Sequence, residues 1–189
     1  MAVRRTRRSA GALAPEAGLR ADRVGAGMGR WRREFPDIDC SGKSIVGRLL
    51  HLRETMLGEI NRALAPHGLK YPEFAVLATL RVEGSPYRMT PKALLDALIL
   101  TSGGLSNLVR RLETAGHVRR LPDTRDGRGV IVELTAAGRR LVEPAMRDHA
   151  ATERRLIAAL DERTRADLAR GLAQLMPAPR GTRRRADAG

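Results

Sequence analysis

The chain has little cysteine, little lysine and no long apolar run. Its 189 residues include one cysteine, Cys40, which excludes an internal disulfide framework and a cysteine-rich zinc site. No apolar segment approaches the roughly 18 residues that a membrane-spanning helix needs. The Arg-rich start is not followed by the apolar segment of a secretory signal. We therefore expect a cytoplasmic protein that does not contact a membrane.

The signatures of enzymes are also lacking. The four histidines are far apart in the sequence and show no metal-ligand spacing. There is no glycine-rich phosphate loop and no nucleophile motif. We expect a protein that is not an enzyme, holds no metal and uses no cofactor.

The formal net charge of +14 lies mostly in the two ends of the chain. Residues 1–33 hold nine arginines and two acidic residues, and residues 180–189 hold four arginines and one aspartate. The segment between them carries 22 basic and 18 acidic side chains. Composition predicts a largely disordered basic arm over 1–33 and a disordered basic tail over 178–189. These ends alone would also suit a non-specific nucleic-acid-binding protein.

Apolar periodicity and capping residues predict a series of helices in the middle of the chain. There are four: one from Ser44 to Leu64, one after Pro72 that stops at Gly84, one opened by Thr90 and Pro91, and one from Thr101 or Ser102 to Gly116.

A β-hairpin is predicted after these helices. Val118–Leu121 and Val130–Leu134 read as short strands joined by a polar loop over 122–129. Thr135 then caps a last long helical region, in which we expect a kink at Pro144.

The order helix, short turn, helix, hairpin predicts a mainly α fold with a small β-hairpin, the winged helix-turn-helix. Its fourth helix would enter the major groove of double-stranded DNA. Leu105, Leu108, Val109 and Leu112 form the packed side, and the open side holds the expected DNA contacts Ser102, Gly103, Ser106, Asn107 and Arg110.

Two of these residues have the chemistry to read bases, and the wing adds two arginines. Asn107 is suited to adenine, and Arg110 to guanine or a phosphate. Arg125 and Arg128 in the wing loop are expected to reach the minor groove. The alternative for the helix arginines is an ordinary solvated face.

The stretch that contains these elements resembles the MarR family of transcriptional regulators. The matching pattern is a serine-rich recognition helix, followed by Arg111-Leu112-Glu113, Gly116, Val118 and Arg120, then Asp123, Asp126 and Arg128, then Leu134-Thr135 and Gly138. The resemblance covers about residues 42–177, with the DNA-binding lobe at about 72–135.

The resemblance implies a homodimer whose long N- and C-terminal helices interleave between subunits. The apolar stripes over 45–64 and 156–176 fit that role, although each could equally be core of one subunit. It also implies a regulator, here expected to be a repressor, that binds an inverted-repeat operator and is released by a small aromatic or anionic ligand.

Two branches of the family suggest sensor residues. The urate-responsive branch is similar at Trp31 and Arg120, which become candidate ligand contacts, but Ala75 and Leu108 depart from its pattern and argue against urate. Trp31 could equally pack within an extra N-terminal helix. A redox-sensing branch has a cysteine near the position of Cys40, so a redox-sensing regulator is the alternative.

Overall fold

The structure is a computed structural model that describes residues 22–98, 100–123 and 129–176. The chain divides into two compact units, residues 1–55 and 56–189. The predicted tail over 178–189, the first 21 residues of the predicted arm and the wing arginines Arg125 and Arg128 lie outside the described residues.

The first unit contains a helix where a disordered arm was predicted. Helix α1 (Arg23–Glu34) begins at Asp22, whose carboxylate accepts hydrogen bonds from the backbone N–H groups of Val24 and Gly25. Met28 is buried, and a Cβ on Gly47 would lie 3.1 Å from Val24, so the absence of a side chain at 47 leaves room for α1. The prediction of disorder is therefore wrong for residues 23–33. Glycines at positions 25, 27 and 29 hide the apolar periodicity of this helix.

The predicted helices are confirmed within a few residues at their ends. Helix α2 (Lys43–Leu64) runs from the first unit into the second and ends in a 3₁₀ turn, Ala65–His67. The remaining helices of the second unit are α3 (Tyr71–Val82), α4 (Pro91–Ala97), α5 (Ser102–Thr114), α6 (Ala136–Leu156) and α7 (Glu162–Leu175). Thr90 and Thr101 cap α4 and α5 through their hydroxyl groups.

The wing is a three-stranded antiparallel sheet. Strands β2 (Val118–Pro122) and β3 (Val130–Leu134) form the predicted hairpin, and β1 (Arg88–Met89) pairs with the other edge of β3. The sequence analysis missed β1, because two residues are too short to show the alternation of a strand.

The last helical region is two helices rather than one. Pro144, where we expected a kink, lies inside the continuous helix α6. The chain leaves the helical conformation after Leu156, and Asp161 caps the start of α7 by accepting the backbone N–H of Thr164 at 2.7 Å.

One hydrophobic core holds the second unit together. Helices α3, α4, α5 and α6 and the sheet contribute fully or largely buried side chains, among them Leu77, Leu94, Leu112, Val132 and Val142. This core fixes the side of α5 that faces inward and so the side that remains exposed. Over the ranges that the structure covers, no helix has the length and apolar character needed to cross a membrane.

Candidate nucleic-acid interface

Helix α5 has one buried and one exposed side. Its four apolar residues Leu105, Leu108, Val109 and Leu112 are buried in the core. The five residues predicted to contact DNA are all exposed: Ser102, Gly103, Ser106, Asn107 and Arg110. The structure therefore confirms the predicted sides of the helix, and the DNA contacts themselves stay a prediction.

Asn107 and Arg110 are hydrogen-bonded to each other on the exposed side. The Arg110 guanidinium Nη2 donates to Asn107 Oδ1 at 2.7 Å. Residues three apart on a helix are neighbours on its surface, so this contact fits their spacing. It occupies the amide oxygen of Asn107 and orients the guanidinium. Ser102, Gly103 and Ser106 precede the pair and leave the helix start unobstructed.

The Arg111-Leu112-Glu113 segment joins α5 to its neighbours. Arg111 Nη2 lies 2.6 Å from Glu73 Oε1 of α3. Glu113 accepts hydrogen bonds from the Arg120 side chain at 2.8 Å and from the Arg120 backbone N–H at 3.0 Å. The Arg120 guanidinium and backbone N–H hold the pKa of Glu113 below its ordinary value. These contacts connect the candidate recognition helix to α3 and to β2.

The end of α5 and the start of α6 are separated in the chain by the hairpin but are hydrogen-bonded to each other. Gly116 has a φ of 75°, the left-handed conformation that commonly ends helices and that suits glycine. The Thr135 hydroxyl donates to Gly116 O at 2.7 Å and accepts from Gly138 N at 3.0 Å. A Cβ on Gly138 would lie less than 3.0 Å from His117 O, so this position has room for hydrogen only.

Glu133 joins all three wing strands through two arginines. It lies opposite Arg88 of β1 and Arg119 of β2 in the register of the sheet, and both guanidinium groups donate to its carboxylate. Burial raises the pKa of Glu133, but the hydrogen bonds from Arg88 and Arg119 outweigh burial and lower it overall. The wing therefore has an ion-paired carboxylate on one face and the core on the other.

The base of the wing loop is closed by a backbone hydrogen bond. Asp123 N donates to Gly129 O at 2.9 Å. The minor-groove role of Arg125 and Arg128 stays a prediction, since both residues lie outside the described part of the loop.

The sensor candidates lie in different parts of the chain. Trp31 is 41% exposed, its ring centroid lies 5.5 Å from that of Phe35, and the Lys43 ammonium lies 4.6 Å from its centroid. Cys40 is half-buried just before α2, and its carbonyl accepts the backbone N–H of Lys43 at 3.0 Å. Trp31 and Cys40 belong to the first unit, and Arg120, paired with Glu113, belongs to the second. Their sensor roles stay predictions.

Comparisons with known proteins identify the family. A family model described as MarR family matches residues 67–129. The HTH-type transcriptional regulator PecS of Dickeya dadantii is 31% identical over 139 residues, which are 74% of this chain and 84% of PecS. The chain belongs to the MarR family.

Two further comparisons agree with this family. The multiple antibiotic resistance protein MarR of Escherichia coli is 33% identical over 99 residues, 52% of this chain and 67% of MarR. The crystal structure of a mutant of that protein complexed with operator DNA has a TM-score of 0.65 and 29% identity, and covers 74% of this chain and all of the other. This MarR-family chain is a DNA-binding transcriptional regulator with a winged helix fold.

The ion pairs around α5 were not found from the sequence. Partners such as Arg111 and Glu73 are 38 positions apart, and no local pattern connects them. Across the described ranges, no group of three or more His, Cys, Asp or Glu side chains is arranged to hold a metal ion.

Proposed function

We propose that the chain is a repressor that binds an inverted-repeat operator as a homodimer through the exposed side of α5. The proposal includes the ligand-dependent release that the family resemblance implies, with Trp31 and Arg120 as candidate contacts. It excludes enzymatic activity.

The exposed side of α5 carries the proposal. Small residues stand at the start of this side and the hydrogen-bonded pair Asn107 and Arg110 follows one turn later, while the opposite side is buried. Small residues let a helix start approach phosphates and base edges closely, and guanidinium and amide groups are the side chains that read bases. The relative crystallised with operator DNA supports this reading of α5.

Exposed apolar side chains on α2 and α7 support the homodimer. Ile45 and Leu50 of α2 are 52% and 65% exposed, and Leu168 and Leu175 of α7 are 47% and 61% exposed. Large apolar side chains that are left exposed on a helix are candidates for an interaction site. A second copy would cover these helix faces, in agreement with the dimer implied by the family.

The test is selection of preferred sequences from random duplex DNA, followed by affinity measurements. We expect an inverted repeat with half-site centres about 10 bp apart, one helical turn. Arg110→Ala and Asn107→Ala should each weaken operator binding by about 1–3 kcal/mol and relax the preference at particular bases. Arg154→Ala, which removes an exposed arginine from the end of α6, is the matched control and should leave the preference unchanged.

Three other outcomes would each contradict one part of the proposal. Selection of no sequence would favour a non-specific nucleic-acid-binding protein. Unchanged base preference in both α5 variants would show that α5 is not the reading element. Full operator affinity for a species that sediments as a monomer would refute the dimer.

A further inference from the structure

The two adjacent arginines in the middle of α5 have partners of different chemistry. Arg111 is paired with the Glu73 carboxylate of α3. Arg110 donates instead to the neutral amide of Asn107, and among the residues that the structure describes it forms no ion pair with a carboxylate. A carboxylate partner neutralises an arginine, whereas an amide orients the guanidinium and leaves its charge unchanged. Arg110 is therefore both oriented and fully charged on the exposed side of the helix.

The chemistry of the two groups determines which of their atoms meet. A guanidinium has five N–H donors and no acceptor, so the Asn107 atom that contacts it must be the amide oxygen. This oxygen lies 2.7 Å from Arg110 Nη2. Apart from the second lone pair of that oxygen, the pair has only donors left for a ligand: the remaining N–H groups of the guanidinium and the amide NH₂ of Asn107.

Guanine and adenine present different patterns in the major groove. Guanine has two acceptors, N7 and O6, whereas adenine has one acceptor, N7, beside the N6 donor. A separate asparagine reads adenine by accepting from N6 with its oxygen and donating to N7 with its nitrogen. In this chain the Asn107 oxygen already accepts from Arg110. A pair that presents mainly donors matches guanine better than adenine.

We propose that Asn107 and Arg110 act as one unit that reads guanine. Arg110 donates to N7 and O6 of the base, and Asn107 is the positioning residue that holds the guanidinium in place. A long side chain loses rotamer freedom when it binds, and a partner that holds it beforehand reduces that cost. This interpretation replaces the separate reading of adenine by Asn107 that the sequence suggested. It rests on the proposed role of α5 in operator binding, and it adds the identity of the base and the coupling of the two residues.

The test measures base preference at one operator position with the full chain. After selection from random duplex DNA, this position is identified as the one at which Arg110→Ala relaxes the preference. Competition binding with the four operators that differ only at this base pair then gives the preference for guanine over each alternative. We expect the wild-type chain to prefer guanine by about tenfold or more, because a bidentate arginine discriminates against a wrong base to this extent.

Three variants test whether Asn107 acts through Arg110. Asn107→Ala should reduce the guanine preference at least about threefold, and adding it to Arg110→Ala should cause no further loss at that position, because residues that act together are not additive. Asn107→Asp keeps an oxygen that accepts from Arg110 but has no NH₂ group, so it should retain the guanine preference. Its negative charge should weaken binding to all sequences alike.

Thr114→Ala is the matched control. The Thr114 hydroxyl donates to the backbone carbonyl of Arg110 at 3.0 Å, so this variant removes a contact with the same residue and leaves the guanidinium pair intact. It should keep the guanine preference of the wild type. Asn107 is exposed and alanine favours a helix, so Asn107→Ala should melt no earlier than the wild-type chain.

Several results would overturn the proposal and leave operator binding by α5 standing. They are a preference for adenine that Asn107→Ala alone relaxes, additive effects of Asn107→Ala and Arg110→Ala on the guanine preference, a base other than guanine at the position that Arg110→Ala relaxes, and the same loss in Asn107→Asp as in Asn107→Ala. If the wild-type chain prefers no sequence, both this proposal and the proposed function are wrong.

Discussion

A methyl group at position 138 should destabilise the second unit, although alanine normally favours a helix. Gly138 is buried in the first turn of α6, and a Cβ there would lie 2.7 Å from Leu134 Cδ1 and less than 3.0 Å from His117 O. The carbonyl of His117 cannot move away freely, because it accepts the backbone N–H of Thr135 at 3.0 Å. The clash therefore falls on hydrogen-bonded backbone rather than on a flexible side chain.

The expected loss of stability in Gly138→Ala is the difference between two opposing effects. Overpacking a well-packed site costs about 1–3 kcal/mol and sometimes more, and contact with backbone puts Gly138→Ala at the upper end. Replacing glycine with alanine inside a helix stabilises the helix by up to about 1 kcal/mol. We expect the free energy of unfolding to fall by about 2 kcal/mol, which for a chain of this size lowers the melting temperature by roughly 4–8 °C.

The measurement is urea unfolding followed by circular dichroism, at one fixed chain concentration because association changes apparent stability. Gly171→Ala is the matched control, since α7 contains Gly171 and a Cβ there would meet nothing within 4 Å. The control should unfold at the same or a higher urea concentration than wild type. If Gly138→Ala matched the control, the steric account of this junction would be refuted.

Two further predictions concern dimerisation and the loss of stability at low pH. Leu168→Glu should weaken dimerisation at least about tenfold in analytical ultracentrifugation, because a buried unpaired charge costs several kcal/mol. Gln174→Glu, which lies about 120° away around α7, should weaken it less. Equal effects of the two variants would contradict the assignment of the face that contains Leu168. The pKa values of Glu113, Glu133 and Glu143 are lowered overall in the fold, chiefly by their arginine partners. The contribution of these carboxylates to the free energy of unfolding is therefore complete above the ordinary pKa of 4.5, and it is lost as the pH falls through the lowered values. Urea midpoints should therefore drop between about pH 5 and pH 3, and less steeply in Glu143→Gln; a parallel drop in that variant would exclude Glu143 as a cause.

The helices and the hairpin of the second unit could be predicted because their signals are local. Periodic leucines, the caps Thr90 and Thr101 and the left-handed Gly116 each act within a few residues. Local signals did not predict helix α1, because its glycines weaken helix propensity and interrupt the apolar pattern; an N-terminal helix around Trp31 was considered only through the family resemblance. The Asp22 cap and the packing of Met28 stabilise it nevertheless.

The same distinction between local and long-range signals applies to the candidate site. The exposed side of α5 follows from helical periodicity alone and was predicted correctly. The pairing of Arg88 and Arg119 with Glu133 was not predicted, because it depends on strand pairing between distant parts of the chain. Strand β1, which brings Arg88 to Glu133, is too short to be recognised in the sequence.

The residues that hold α5 in place and the residues expected to read bases are different sets. The described pattern positions hold the fold together: Arg111 and Arg120 form ion pairs, Leu112 and Val118 are buried, and Gly138 fits where no larger residue would. The expected reading residues Asn107 and Arg110 are exposed on the other side of α5 and do not pack into the core. These packing contacts therefore fix how α5 is presented, and we expect the choice of operator to depend on its exposed side chains. Exchanging Ser106, Asn107 and Arg110 for the residues of another regulator should accordingly alter sequence preference without altering stability.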